Sequence, residues 1–238
     1  MRKVKAVFTK QLLSYIKNPA RWAAPAAFLA IPFSLFIFAP PDADMTTLTA
    51  QFVIMFVGIS MVSGSAAFII EDRETMNLRF MSMAGVRPYQ YLIATCGVLL
   101  VVSLGFLALF GMISGHSGGT MMNFLILSML GAASSMLLGI TLGLSKIAPF
   151  TWIVGILLGV GPVMSADAGV EVLSRVFYLT FTYQANTALR GDLTAIPMGA
   201  VRIILINMAV ILLAFIIMNA RYGLDGERLA KKEMAAKA

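Results

Sequence analysis

The chain has 238 residues, 59% of them hydrophobic and 12% charged, with a formal net charge of +7. A soluble domain carries about 25% charged residues, so a water-soluble globule is excluded. Its apolar runs are continuous and roughly twice the ~10 residues of a barrel strand, which leaves helices as the way to satisfy backbone polar groups in lipid. The positive charge does not point to nucleic acid, because it is distributed as the positive-inside rule requires.

Residues 1–21 place Val4, Phe8, Leu12 and Ile16 at a helical period among Lys3, Lys5, Lys10 and Lys17. This predicts an amphipathic helix lying in the membrane interface, an elbow before the first span. A cleaved signal peptide is the poorer reading, since its apolar region follows the basic residues sooner and ends at a small-residue site.

A bilayer core of ~30 Å needs ~20 apolar residues per helix, and six segments fit. The predicted spans are Trp22–Ala39, Leu48–Ile70, Tyr91–Ile113, Met121–Leu144, Phe150–Met164 and Met198–Asn219. The fifth is short and broken by Gly155, Gly159, Gly161 and Pro162. Between spans two and three lies the charged, Met-rich segment 71–90. Residues 165–197 form a semi-polar stretch before span six, and 220–238 form a charged tail. One transmembrane domain accounts for residues 1–238, and no separate soluble domain is evident.

Six spans put both termini on one side. Of the 18 basic residues, all but Arg175, Arg190 and Arg202 fall on that side, which assigns both termini to the cytoplasm. Gly131, Ser135, Gly139 and Gly143 recur every four residues in span four, and Gly155 and Gly159 repeat the spacing in span five. Small residues so spaced predict close helix packing, with a helix of the same chain or of a second copy. Cys96 reads as a small buried hydrophobe.

Spans one to five contain no Asp, Glu, Lys, Arg or His. A proton or cation relay would need such groups. No phosphate-binding G-x-x-x-x-G-K-[ST] loop occurs, so the chain cannot hold ATP in that way. Ser63 near the end of span two lacks a base, because His116, the single histidine, belongs to an external turn. No metal-ligand spacing is present. The sequence reads as a non-enzyme without a cofactor of its own.

The segment 71–90 carries Glu71, Asp72, Arg73 and Glu74 at the membrane exit. An intermittent apolar face of Leu78, Met81 and Val86 follows, flanked by Arg79 and Arg87, before Pro88 restarts the chain. Arg73-Glu74, Met76-Asn77-Leu78 and Gly85-Val86-Arg87-Pro88 resemble the charged pair, Gly-Thr-Leu and Pro-containing turn of type-2 ABC transporter permeases. Met76-Asn77 stands for Gly-Thr, Gly85 for the first Pro, and Thr95 for the Lys frequent at the start of span three. Downstream, Leu173–Leu179 and Ala185–Gly191 resemble that family's external re-entrant helices, which often end in Ala-Leu-Arg-Gly. Phe181-Thr182-Tyr183 replaces the Pro common between them.

The resemblance implies an all-α integral membrane protein of six transmembrane helices. It would have an interfacial elbow, a cytoplasmic coupling helix between spans two and three, and an external re-entrant hairpin before span six. It implies a plasma (inner) membrane exporter permease partnered by a separate nucleotide-binding subunit that holds ATP and Mg. A second permease copy would complete the path, as a homodimer or a heterodimer. Arg73, Glu74, Leu78, Arg79, Met81, Gly85, Val86 and Arg87 would couple to the ATPase. Phe177, Tyr178, Tyr183, Leu189 and Arg190 would belong to the external hairpin. The uncharged spans suit a hydrophobic or amphipathic cargo, such as a drug or a toxic peptide. The competing expectation is a non-transporting membrane scaffold whose loop recruits a cytoplasmic protein.

Overall fold

Asp44 starts the longest helix. Its carboxylate accepts from the Thr46 and Thr47 backbone N–H groups at 3.1 and 3.2 Å and from the Thr47 hydroxyl at 2.6 Å. These contacts satisfy donors that the first helical turn leaves open. In the computed structural model, which describes residues 2–19, 26, 30, 34, 37–38, 44–145, 150–167 and 171–222, every regular element is helical. Most of the predicted first span, of the turn after it and of the charged tail, together with Lys146, lies outside the described residues.

The elements are α1 (Arg2–Lys17), α2 (Met45–Glu74), α3 (Asn77–Met83), α4 (Pro88–Ile113), α5 (Gly118–Leu144), α6 (Thr151–Asp167), α7 (Glu171–Phe177), α8 (Phe181–Arg190) and α9 (Met198–Tyr222). Four of these are long and apolar enough to cross a membrane: α2, α4, α5 and α9. α6, predicted as span five, is a shorter apolar helix with Pro162 inside it. Its 17 residues reach about 25 Å at ~1.5 Å per residue.

α2 runs on past the predicted end of span two, so Glu71–Glu74 is its final turn rather than a loop. Midway, Phe56–Met61 forms a wider, π-type turn. There α6 crosses with backbones in contact, since a methyl on Gly58 would run into the Gly159 and Leu158 main chain. Gly155 meets the same stretch, where an added methyl would stand 3.2 Å from the Gly58 carbonyl oxygen.

α5 lies along the other side of α2. A methyl on Gly139 would collide with the Ser65 hydroxyl and the Val62 carbonyl, and one on Gly143 would stand 3.1 Å from the Ala66 carbonyl oxygen. Both small-residue stripes therefore pack within the chain, which decides the question that the spacing alone leaves open. Phe56, Leu107, Phe110, Phe124, Leu127 and Met136 fill the core between α2, α4 and α5. The Phe56 ring lies 5.7 Å from Phe106 and 5.8 Å from Phe110. α9 is the least buried of the four long helices, and Ile206, Val210, Leu213 and Ile217 are among its exposed residues. Arg202 is also exposed on α9.

α1 departs from the predicted face. The expected stripe was Val4, Phe8, Leu12 and Ile16. The buried face is instead Val7, Gln11 and Tyr15, with Val4, Phe8 and Leu12 packed beside it, and Ile16 is 57% exposed. α4 and α2 supply the opposing surface, where Tyr15 stacks on Phe68 at 6.1 Å between ring centroids. The apolar period identified the helix but not the burial of Gln11 and Tyr15, which are polar and carry no hydropathy signal.

Candidate functional site at the α2–α4 junction

The last turn of α2 continues the phase of its buried residues. Ser65, Phe68 and Ile69 are buried, and Asp72 lies one turn further on the same face. Asp72 is consequently 4% exposed. A buried carboxylate is costly unless paired and hydrogen-bonded. Here Oδ1 accepts from Lys10 Nζ at 2.6 Å and Asn77 Nδ2 at 3.2 Å, and Oδ2 accepts from Gln11 Nε2 at 2.6 Å and the Tyr91 hydroxyl at 2.7 Å. The four donors come from α1, α3 and α4. One side chain thus fastens four helices at one point.

Next to it, Arg73 turns toward the C-terminus of α5. Its guanidinium donates to the Gly143 and Leu144 carbonyls at 3.1 and 3.3 Å. Terminal carbonyls have no partner within their own helix, and a cation there also favours the helix dipole. Glu74 is exposed.

The chain then leaves helical geometry at two places. Met76 adopts a left-handed φ of 56°, unusual for a side chain of that size. Gly85 does so at 71°, where glycine carries no penalty. Between them α3 stands out as a separate short helix. The Gly85 carbonyl accepts from Lys3 Nζ at 2.9 Å, so α1 holds both ends of the junction. Pro88 opens α4 with φ suited to a first helical turn, and the Gln90 side chain accepts from Arg87 N at 3.0 Å.

Residues singled out in the sequence take different places here. Met81 and Val86 pack inward on the cluster of Val7, Ile69, Tyr91 and Phe215. Of the intermittent apolar face read from the sequence, these two residues therefore face the protein. The side chains of Leu78 and Arg79 lie outside the described residues. The outward apolar ridge is Met76, Phe80 and Met83, with Phe80 62% and Met83 70% exposed. Arg87 is exposed beside it in sequence. Left-handed Met76 resets the helical phase, and that is why the exposed set could not be read from spacing.

The other end of the helices gathers the second group of candidates. Phe177 is buried against Gly161, and Leu189 is fully buried. Tyr178 is exposed, with its ring 6.0 Å from that of Tyr183. Gln184 Nε2 donates to the Tyr178 carbonyl at 2.5 Å. Arg190 Nε donates to Asn186 Oδ1 at 3.2 Å, and Asn186 Nδ2 donates to the Pro162 carbonyl at 3.4 Å. Asn207 of α9 holds the Leu179 carbonyl at 2.8 Å, and Asn123 of α5 holds that of Leu193 at 2.8 Å. α7 and α8 are therefore tied to α5, α6 and α9. Asp44 lies at this end as well. Hydrogen bonds from Thr47, then Thr46 and the Arg190 charge, hold its carboxyl below the usual range. His116, in the α4–α5 turn, has its ring 5.1 Å from Phe124, and burial lowers its pKa.

Asp72, Lys10, Gln11 and Tyr91 are the site residues that sequence reasoning missed. For Asp72 a signal existed, since extending the phase of Ser65 and Ile69 by one turn reaches it. For Gln11 and Tyr91 none did. Among the described residues no group of three His, Cys, Asp or Glu side chains could hold a metal ion. No protein-family model, curated protein or solved structure matches this chain.

Proposed function

We propose that the chain is the membrane-spanning permease subunit of an ATP-driven ABC exporter. It works with a second permease copy and takes its energy from a separate nucleotide-binding subunit that holds ATP and Mg. The observation that carries this reading is the build of the α2–α4 junction. α3 projects between two membrane-length helices with Phe80 and Met83 outward, while Asp72 fastens its base to α1, α2 and α4. A short helix so held can pass a push from a soluble partner to several spans at once. Arg73 carries the same connection into α5. In the plasma (inner) membrane, with both termini cytoplasmic, α3 faces the compartment that contains ATP. Export of a hydrophobic or amphipathic cargo is supported by long helices that lack ionisable residues over most of their length.

The experiment is co-purification from detergent with the neighbouring genes co-expressed, followed by an ATPase assay on the complex. A stoichiometric ATPase whose hydrolysis depends on this chain is the expected result. Phe80→Ser with Met83→Ser should detach it without lowering the unfolding temperature, and Glu74→Ala with Arg79→Ala should uncouple or detach it. A clean chain with no ATPase bound, or hydrolysis unchanged in both double variants, would sink the proposal in favour of a membrane scaffold.

A further inference from the structure

The outer face of α1 supports an inference that does not rest on the exporter reading. At its N-terminal end, α1 touches the polar junction through Lys3 and Gly85. Toward its C-terminal end, Tyr15 stacks on Phe68. Phe68 precedes Glu74, the end of α2, by six residues, or roughly 9 Å along the axis. α1 therefore slants from the polar ends of the membrane helices into their apolar length.

Away from the protein, α1 presents Arg2, Lys5, Thr9, Leu13 and Ile16, all exposed. Intervals of three and four residues put them in one stripe. Polarity along the stripe follows depth: Arg2 and Lys5 stand at the junction end, and Leu13 and Ile16 at the deep end, while Lys17, also exposed at the deep end, lies roughly a quarter turn off the stripe on the flank of Lys3 and Lys10. α1 contains no acidic residue, so no carboxylate of its own helix neutralises the cations. Lys10 and Lys3, by contrast, are engaged with Asp72 and Gly85. Cations at headgroup depth above aliphatic side chains at acyl depth complement a leaflet that carries negative headgroups. We infer that this outer face of α1 is a docking surface for anionic phospholipid, with Arg2 and Lys5 meeting headgroup phosphates and Leu13 and Ile16 entering the acyl chains.

The test uses the full chain with Cys96→Ser and Thr9→Cys, spin-labelled at position 9 between the cations and the aliphatic pair. The protein is placed in nanodiscs of phosphatidylcholine with or without phosphatidylglycerol. With phosphatidylglycerol the label should become several-fold less accessible to an aqueous paramagnetic reagent and more accessible to oxygen. Arg2→Gln with Lys5→Gln should abolish that lipid dependence. Equal accessibility in the two lipids, or a lipid dependence that survives the double variant, would overturn the inference. Protection that grows with protein concentration would do so too, because it would assign the face to a second copy. The readout involves no ATPase, so it can fail while the exporter reading stands, and the reverse.

Discussion

Asp72 shows how one residue organises a membrane-protein junction. Its two oxygens each accept two donors, so the cost of burial is offset by a complete set of hydrogen bonds and one cation. Removing the carboxylate leaves buried Gln11 and the Tyr91 hydroxyl without that acceptor. Leaving a buried donor unsatisfied costs about 1–3 kcal/mol. Asp72→Ala should therefore lower the detergent unfolding temperature markedly, and Asp72→Asn, which keeps size and one acceptor oxygen, should lower it less. Differential scanning fluorimetry on the purified chain reads both. Equal effects from the two variants would show that the loss comes from packing rather than from the hydrogen-bond hub. Lys10 is partly exposed, so solvent screens its attraction to Asp72, and Lys10→Met, which leaves three donors on the carboxylate, should cost less than Asp72→Ala.

At the scale of elements, the fold depends on how closely α2 is approached from two sides. α5 meets it through Gly139 and Gly143, and α6 meets its wide turn through Gly155 and Gly159. Gly139→Ala has no room, because the added methyl meets the Val62 carbonyl as well as the Ser65 hydroxyl. Forcing a methyl into such a contact costs about 1–3 kcal/mol. Gly105 in α4 makes the control, since nothing lies within 4 Å of an added methyl there. Gly105→Ala should be neutral or stabilising by up to about 1 kcal/mol, the usual helix-propensity gain. A similar change in unfolding temperature for both variants would rule out close α2–α5 packing as the determinant.

At the scale of the molecule, helix ends sort into two levels. The α2–α4 junction, the N-terminus of α1 and the C-terminus of α5 meet through Asp72, Arg73 and Lys3. The start of α2, the α4–α5 turn and the α8–α9 connection lie at the other level, with Asn123 tying the last two together. In the topology we propose, the first level is cytoplasmic, as the positive-inside rule would have it. Single cysteines at Thr75 and Thr194, each in a Cys96→Ser background, should be labelled by a membrane-impermeant maleimide from opposite sides. In intact cells Thr194→Cys should react and Thr75→Cys should react only after permeabilisation. The reverse pattern would invert the topology and would place α3 away from any ATP-bearing partner.

By itself the sequence determined the solvent and the class of structure. Long uncharged runs cannot satisfy their backbone in lipid except as helices, and their lengths located α2, α4, α5 and α9 to within a few residues. It also marked Gly139, Gly143, Gly155 and Gly159 as contact positions, because small residues at helical spacing have one common use in membranes. Tertiary structure alone decided which faces those helices turn to one another. Gln11 and Tyr91 are polar, and only their convergence on Asp72 from separate helices explains their burial. The Met76 backbone reversal shifts the phase of everything after it, so Phe80 and Met83 face outward while Met81 and Val86 pack inward. Periodicity is a local property of one helix. The partner of a buried polar group is a property of the whole chain, which is why the four long helices were legible and the junction was not.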